Sequence, residues 1–313
     1  MAGLLDSIDA LCDVPRRAPC SDAERRAAIG LRRELERRGH EAWAEPVWTR
    51  PQWPTALLAH ALLAVAGSVV SVSAPAVGLG LALAAALGLA LEAGGRLSPV
   101  RLPFRRRATQ MVVTEPEDPE AIALVLVAGY DAPRRGLIFR DALRRLAARG
   151  RGPGRPRAVG WLALAALAIA AAAGARLGGV EANWLGIAQF VPTVVLLLAL
   201  AAAADIALSD VSPGASDPAS GVAVALAALD DLVDDPPAEL SASVLLAGAS
   251  ETVPPDAVRR YLRAERLDPA RAVVIEVGPC GAGDPVLITG HPQLRAAAAA
   301  APLPLAPGRR PLG

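Results

Sequence analysis

The hydrophobic positions of this chain fall into two regimes. From Pro54 to Ala93 the sequence is apolar except for His60, Glu92 and a few serines and threonines, with a natural break at Ser73, Ala74 and Pro75. A second apolar block runs from Ala158 to Leu208 and is interrupted by "RLGGVEANW". Crossing the hydrocarbon core of a bilayer takes roughly 20 helical residues. The two blocks therefore predict four transmembrane helices in two hairpins, 54–93 and 158–208, the second with helices near 158–175 and 188–208.

Outside these blocks the periodicities are those of a water-facing α/β fold. In "SDAERRAAIGLRRELERRG", Ser21 and Glu24 form a capping box, Ala23, Ala27, Leu31 and Leu35 line one helical face, and Gly39 sits where the helix stops. The following "EAWAEPVW" reads as an edge strand, where Pro46 is tolerated. "TQMVVTEP" and "AIALVLVAGYD" read as strands joined by a polar turn, the latter too continuously apolar to have a wet face and so central. A helix from Ala219 to about Val233, a strand "ASVLLAGAS", a helix from Asp256 to about Glu265 and a strand "AVVIEV" complete the pattern. Such alternation predicts a mainly parallel sheet covered by helices. No strand-rich piece is long enough to stand comfortably alone, so residues 1–53, 94–157 and 209–300 are expected to assemble into one discontinuous α/β domain, leaving 301–313 as a flexible tail.

Composition and charge refine this picture. Fifty-three per cent of the residues are hydrophobic, a high share for a water-soluble chain, and the two apolar blocks account for it. Arg96, Arg101, Arg105, Arg106 and Arg107 follow the first block and Arg149, Arg151, Arg155 and Arg157 precede the second, whereas the hairpin turns hold at most Arg176. Basic residues stay on the cytoplasmic side, which predicts a multi-pass protein of the cell membrane with both termini and the middle segment cytoplasmic. The N-terminal "MAGLLDSIDALCD" carries acids within its short apolar stretch, unlike a cleavable signal peptide. Cys12, Cys20 and Cys280 are odd in number and form no metal-binding pair, which suits a reducing compartment. A formal net charge of +1 gives no reason to expect nucleic acid as a partner.

Ligands of α/β sheets gather beyond the carboxyl ends of the strands, and here those ends carry acids: Asp131, Glu251 and Glu276. Asp217 joins them from the turn before a helix, where Gly214 permits an unusual backbone angle; alone it reads as a helix cap. Carboxylates at corresponding places suit hard or borderline divalent ions.

The ordered segments "VLVAGYDAP", "PGASDPASGVAVAL", "VLLAGASE" and "AVVIEVGPCG" resemble the M28 family of zinc aminopeptidases and carboxypeptidases. The resemblance implies a zinc-exopeptidase-like fold, with Asp217 in place of the carboxylate that bridges two zinc ions, Glu251 as a zinc ligand, and Glu276 where the family has an aspartate ligand. Two departures stand against it. Gly129 replaces the family's histidine ligand, leaving Asp131 as the remnant of a group that orients that ring. Ser250 replaces the glutamate base, and a hydroxyl cannot take a proton from metal-bound water at neutral pH. The family's last histidine ligand has no evident counterpart; His291 opens a short helix and is expected to be an ordinary surface or capping residue. The retained acids are expected to hold one zinc or other divalent ion weakly, or none.

Two readings follow. In the first, a peptidase-like cytoplasmic domain, catalytically inactive or strongly impaired, serves binding or scaffolding, with the lipid bilayer and a protein as partners. In the alternative, an active metal-dependent exopeptidase or amidohydrolase works through a rearranged site, with a carboxylate such as Asp284 as base. Transport is disfavoured, because the alanine, leucine and glycine of the apolar blocks offer almost no groups for a polar path. His60 within the first block is expected to be structural.

Overall fold

A computed structural model describes residues 2–96, 99–116, 118, 120–140, 143, 158–180, 182–237, 239–251, 256–264, 267–268, 270–281, 286–287, 289, 291–300 and 306–307. Of the expected tail, 301–313, all but 306–307 lie outside the described residues, as does Asp284. After helix α1 (Ala2–Cys12), helix α2 (Asp22–Arg37) forms where its apolar spacing and cap require it. The Glu24 amide donates to Ser21 Oγ at 3.1 Å, and beyond Gly39, at a φ of 91°, the His40 amide returns to the Leu35 carbonyl at 3.0 Å. The reciprocal half of the expected capping box is absent: the Glu24 carboxylate turns inward instead of back to Ser21.

Five strands, β1 (Ala42–Thr49), β2 (Arg107–Thr114), β3 (Ile122–Gly129), β4 (Leu240–Ala247) and β5 (Ala272–Glu276), form one sheet in the order β1-β2-β4-β3-β5. The strands come from all three segments outside the apolar blocks. β3 is parallel to both β4 and β5, while β2 is antiparallel to both β1 and β4. The expectation of a mainly parallel sheet is thus corrected to a mixed one, with parallel and antiparallel pairings in equal share. β2 and β3 follow one another in sequence yet do not pair, because β4 lies between them. That arrangement gives the long apolar run of β3 two neighbours, and β1 occupies the edge that Pro46 allows.

Alternation along the central strands feeds both faces. Leu126, Ala128, Val244 and Leu246 point towards α1, α2 and helix α7 (Ser220–Asp234), meeting Leu11, Leu31, Leu35, Leu226 and Leu229. Val125, Val127, Leu245 and Ala247 point the other way, to Ala257, Val258 and Tyr261 of helix α8 (Asp256–Ala264). Each fully buried leucine contributes roughly 1.5–3 kcal/mol, so both faces of the sheet are occupied by core.

Four helices are long and apolar enough to cross a membrane: α3 (Trp53–Val70), α4 (Pro75–Ala93), α5 (Ala158–Leu177) and α6 (Asn183–Leu208). The break between α5 and α6 is shorter than the sequence suggests, because helix resumes at Asn183 and continues through Pro192. Small residues face inward, with Ala64, Ala82, Ala85, Ala166 and Ala170 at the centre. Leu62, Leu87, Ile187 and Leu198 face outward, each more than half exposed. This inverted pattern suits lipid, where apolar side chains gain nothing by avoiding their surroundings and small residues allow close helix contact. Glycine completes the packing against His60, since a Cβ at Gly88 would fall 2.1 Å from the imidazole Nε2.

Gly221 at the start of α7 lies so close to the exit of β5 that a Cβ would stand 2.8 Å from the carbonyl oxygens of Val277 and Gly278. Gly30 in α2 has nothing within 4 Å. Gly221→Ala is therefore expected to destabilise the chain by about 1–3 kcal/mol through overpacking, whereas Gly30→Ala stabilises it by about 0.4–1 kcal/mol. Thermal or denaturant unfolding of both variants in the same detergent checks the opposite signs.

Candidate functional site

The carboxyl edge of the sheet is built by the exits of β3 and β4 and by the turn before α7. Arg17, only 1% exposed, gathers these pieces. Its guanidinium donates to the carbonyls of Leu11, Val14, Tyr130 and Pro213, tying the end of α1 to the β3 exit and to the turn at Gly214. Its own carbonyl accepts the Ala132 amide at 2.8 Å. A single buried cation thereby fixes the direction in which the chain leaves β3.

Asp131 follows and is buried. Its Oδ1 accepts the Ser250 amide at 2.8 Å, while Oδ2 has no hydrogen-bond partner. Burial raises its proton affinity above the ordinary carboxylate value, and the nearby Asp217 charge adds to this. Glu24, 1% exposed, is a third acid of this edge. Its Oε1 accepts from Thr109 Oγ1 and the Ala249 amide, and its Oε2 accepts from the Cys20 amide, all at 2.8 Å. Burial, with the Asp131 charge assisting, still raises its pKa to about 7.

Glu251 stands just past β4 and faces the apolar helices. Its Oε2 accepts from the indole Nε1 of Trp53, the first residue of α3, and its Oε1 from the Arg134 amide at 3.4 Å. Burial raises it also to about 7, again with a contribution from Asp131. Arg134 in turn donates to the Ala207 and Ser209 carbonyls at the end of α6, at 3.3 and 3.0 Å. The last carbonyls of a helix need such donors.

The two departures from the M28 pattern meet in space. A Cβ at Gly129 would fall 2.4 Å from Ser250 Oγ and 2.7 Å from Ser250 Cβ. Ser250 therefore occupies the room that a larger side chain at 129 would enter. The remaining acids are more open. Asp217 is exposed in the turn before α7, and Glu276 is exposed at the end of edge strand β5. Ser220 Oγ donates to the Ser216 carbonyl at 2.8 Å and accepts the Cys280 amide at 2.9 Å, holding the Asp217 turn against the segment after β5. His291 is exposed ahead of helix α9 (Pro292–Ala299).

These donors do not fit the two-zinc arrangement that the resemblance implies. Both Glu251 oxygens already accept hydrogen bonds, position 129 offers no ligand atom, and Ser250 beside it offers only an alcohol. Among the described residues, no three His, Cys, Asp or Glu side chains are grouped closely enough to hold an ion. What the arrangement can do chemically is hold protons on buried carboxyls and join the sheet to the apolar helices.

Sequence reasoning singled out Asp131, Glu251, Glu276 and Asp217 by their places at strand and turn ends, and those places are as expected. It missed Glu24, Arg17, Trp53 and Arg134 as members of the same edge. Glu24 carried the signature of a surface capping residue, and nothing local distinguishes a capping glutamate from one turned inward. A second polar group also escaped notice. Near the hairpin turns, Gln189 Nε2 donates to the Ser68 carbonyl at 2.7 Å and to Ser71 Oγ at 3.1 Å, while Arg176 reaches Ser71 Oγ at 3.1 Å. Ser68 Oγ and Thr193 Oγ1 lie 2.7 Å apart. The group satisfies its own polar atoms at one end of the bundle, as buried polar groups require.

No family model, curated protein or solved structure matches the chain.

The raised acids give a signed pH dependence. Between the ordinary glutamate value of 4.5 and about 7, Glu24 and Glu251 hold protons in the folded chain that they release on unfolding. Their contribution to stability is therefore complete below the unfolded value and is lost as the pH rises through about 7. Denaturant titrations in detergent should show stability falling across that window, with a shallower fall in Glu24→Gln. A stability that rises with pH there, or a slope unchanged by the substitution, contradicts the assignment.

Proposed function

We propose that the chain is a multi-pass membrane protein whose cytoplasmic α/β domain, similar in motif order to the M28 peptidases, binds or scaffolds another protein and does not hydrolyse peptides. The observation that carries this reading is the engagement of the edge by the chain itself. Glu251 is held by Trp53 and the Arg134 amide, and Ser250 packs against Gly129. A hydrolytic metal site instead needs ligands free to coordinate and a base aimed at bound water.

Four apolar helices with outward leucines support placement in a bilayer. Tryptophans at the helix starts support it further: Trp53 and Trp161 lie at the sheet end of α3 and α5, and Trp184 at the opposite end, on α6. Aromatic residues favour the two interfaces of a membrane. The arginine-rich segments flanking the helices support a cytoplasmic sheet, because basic residues stay on that side.

The test is purification of the full chain in detergent, metal analysis, and an assay against aminoacyl and dipeptide substrates with and without added zinc. The expected outcome is no zinc-dependent turnover above that of the Asp217→Ala variant. Robust turnover abolished by Asp217→Ala would overturn the noncatalytic reading.

A further inference from the structure

The segment after β3 contains a feature that the edge chemistry does not use. Leu137, Ile138 and Phe139 form one short helical turn, and they are 51%, 41% and 38% exposed. Isolated exposed apolar residues are ordinary, but three in succession on a short turn form a patch with a meaning. Arg135 and Arg140 flank the patch and are also exposed.

The turn is fastened to the end of α6. The Leu137 amide donates to Asp205 Oδ2 at 2.6 Å, and Gly136 lies so close that a Cβ there would stand 2.9 Å from Ile206 Cγ1. Arg134 grips the Ala207 and Ser209 carbonyls, and the Arg135 amide donates to the Asp210 carbonyl at 2.8 Å. The depth of the turn is thus set by the depth of this helix end.

With 26 residues, α6 is about 39 Å long, against a hydrocarbon core of about 30 Å. A surplus of that size carries the helix ends into the headgroup region, and Asp205 lies in the last turn. An apolar turn held there, between two cations, matches the layered chemistry of that region: acyl chains and glycerol for the leucine, isoleucine and phenylalanine, phosphates for the arginines.

We propose that Leu137, Ile138 and Phe139 insert into the cytoplasmic headgroup and acyl boundary of the bilayer, with Arg135 and Arg140 binding anionic lipid phosphates. The inference rests on the membrane-spanning reading of the four helices. Its occupant is lipid because the patch is fixed at the level where lipid begins. Insertion would hold the β3 exit, and with it Asp131, at a constant height above the membrane.

The experiment places the photocrosslinking residue p-benzoylphenylalanine singly at Ile138, Leu198 or Arg37 in the full chain. Leu198 is 66% exposed on α6, and the Arg37 side chain is 72% exposed at the far end of α2. Each protein is reconstituted in nanodiscs of phosphatidylcholine with or without phosphatidylglycerol, irradiated, and analysed by mass spectrometry for lipid adducts. Lipid adducts at 138 several-fold above those at 37, approaching those at 198, support the proposal. Their increase with phosphatidylglycerol, and loss of that increase in Arg135→Gln/Arg140→Gln, support the phosphate contacts. Adducts at 198 with none at 138 overturn insertion while leaving the spanning helices intact. No adducts at 198 overturn the spanning reading itself. Because only exposed side chains are replaced, a thermal melt of each protein suffices to show that it is folded.

Discussion

The architecture turns on one joint, the carboxyl edge where a sheet with core on both faces meets four apolar helices. A domain with a leucine-rich core and an apolar bundle with small residues inside follow opposite burial rules, so the contact between them must satisfy polar groups that neither side can leave bare. Here Trp53 donates from the first apolar helix to Glu251, and Arg134 closes the last carbonyls of α6 from the β3 exit. Arg17 fixes that exit from the other side by donating to four backbone carbonyls.

The same joint explains the chemistry of the edge. An acid at the carboxyl edge is well placed to meet a ligand, but its oxygens can be taken by the protein instead. Glu24 and Glu251 have gone that way, and Asp131 has done so with one oxygen. Ser250 and Gly129 extend the logic, because each fits the other and a larger residue at 129 would displace its partner. A larger side chain at 129 would require Ser250 to change with it, and metal coordination by Glu251 would require its release from Trp53. The acids that retain exposure are Asp217, in the turn before α7, and Glu276, at the end of edge strand β5.

Much of the fold was legible because its signals are local. The four apolar helices announce themselves by length, α2 by its cap and apolar stripe, and β1 by a proline that only an edge accepts. The pairing of β2 with β4 was not legible, since nothing in "TQMVVTEP" states that a strand more than a hundred residues later will lie beside it. The mixed character of the sheet follows from that one long-range choice. The site was half legible for a related reason. Asp131, Glu251 and Asp217 were marked by their places at strand and turn ends, but the partners that engage the edge come from a capping position, a helix start and a loop. Such partners become visible only when distant segments converge. The hydrogen-bonded group of Ser68, Ser71, Arg176, Gln189 and Thr193 was hidden in the same way, its members scattered among alanines and leucines.

The central claim is that Glu251 works as a structural tie between the sheet and the apolar helices. It is tested most directly by a double-mutant cycle of Trp53→Phe and Glu251→Ala in the full chain, read as unfolding free energy in one detergent. If the tie holds, the two changes are not additive, and their interaction energy falls within about 0.5–3 kcal/mol, the span found for residues in contact. Additivity to within about 0.5 kcal/mol, the behaviour of independent sites, would contradict it and leave Glu251 free for another role.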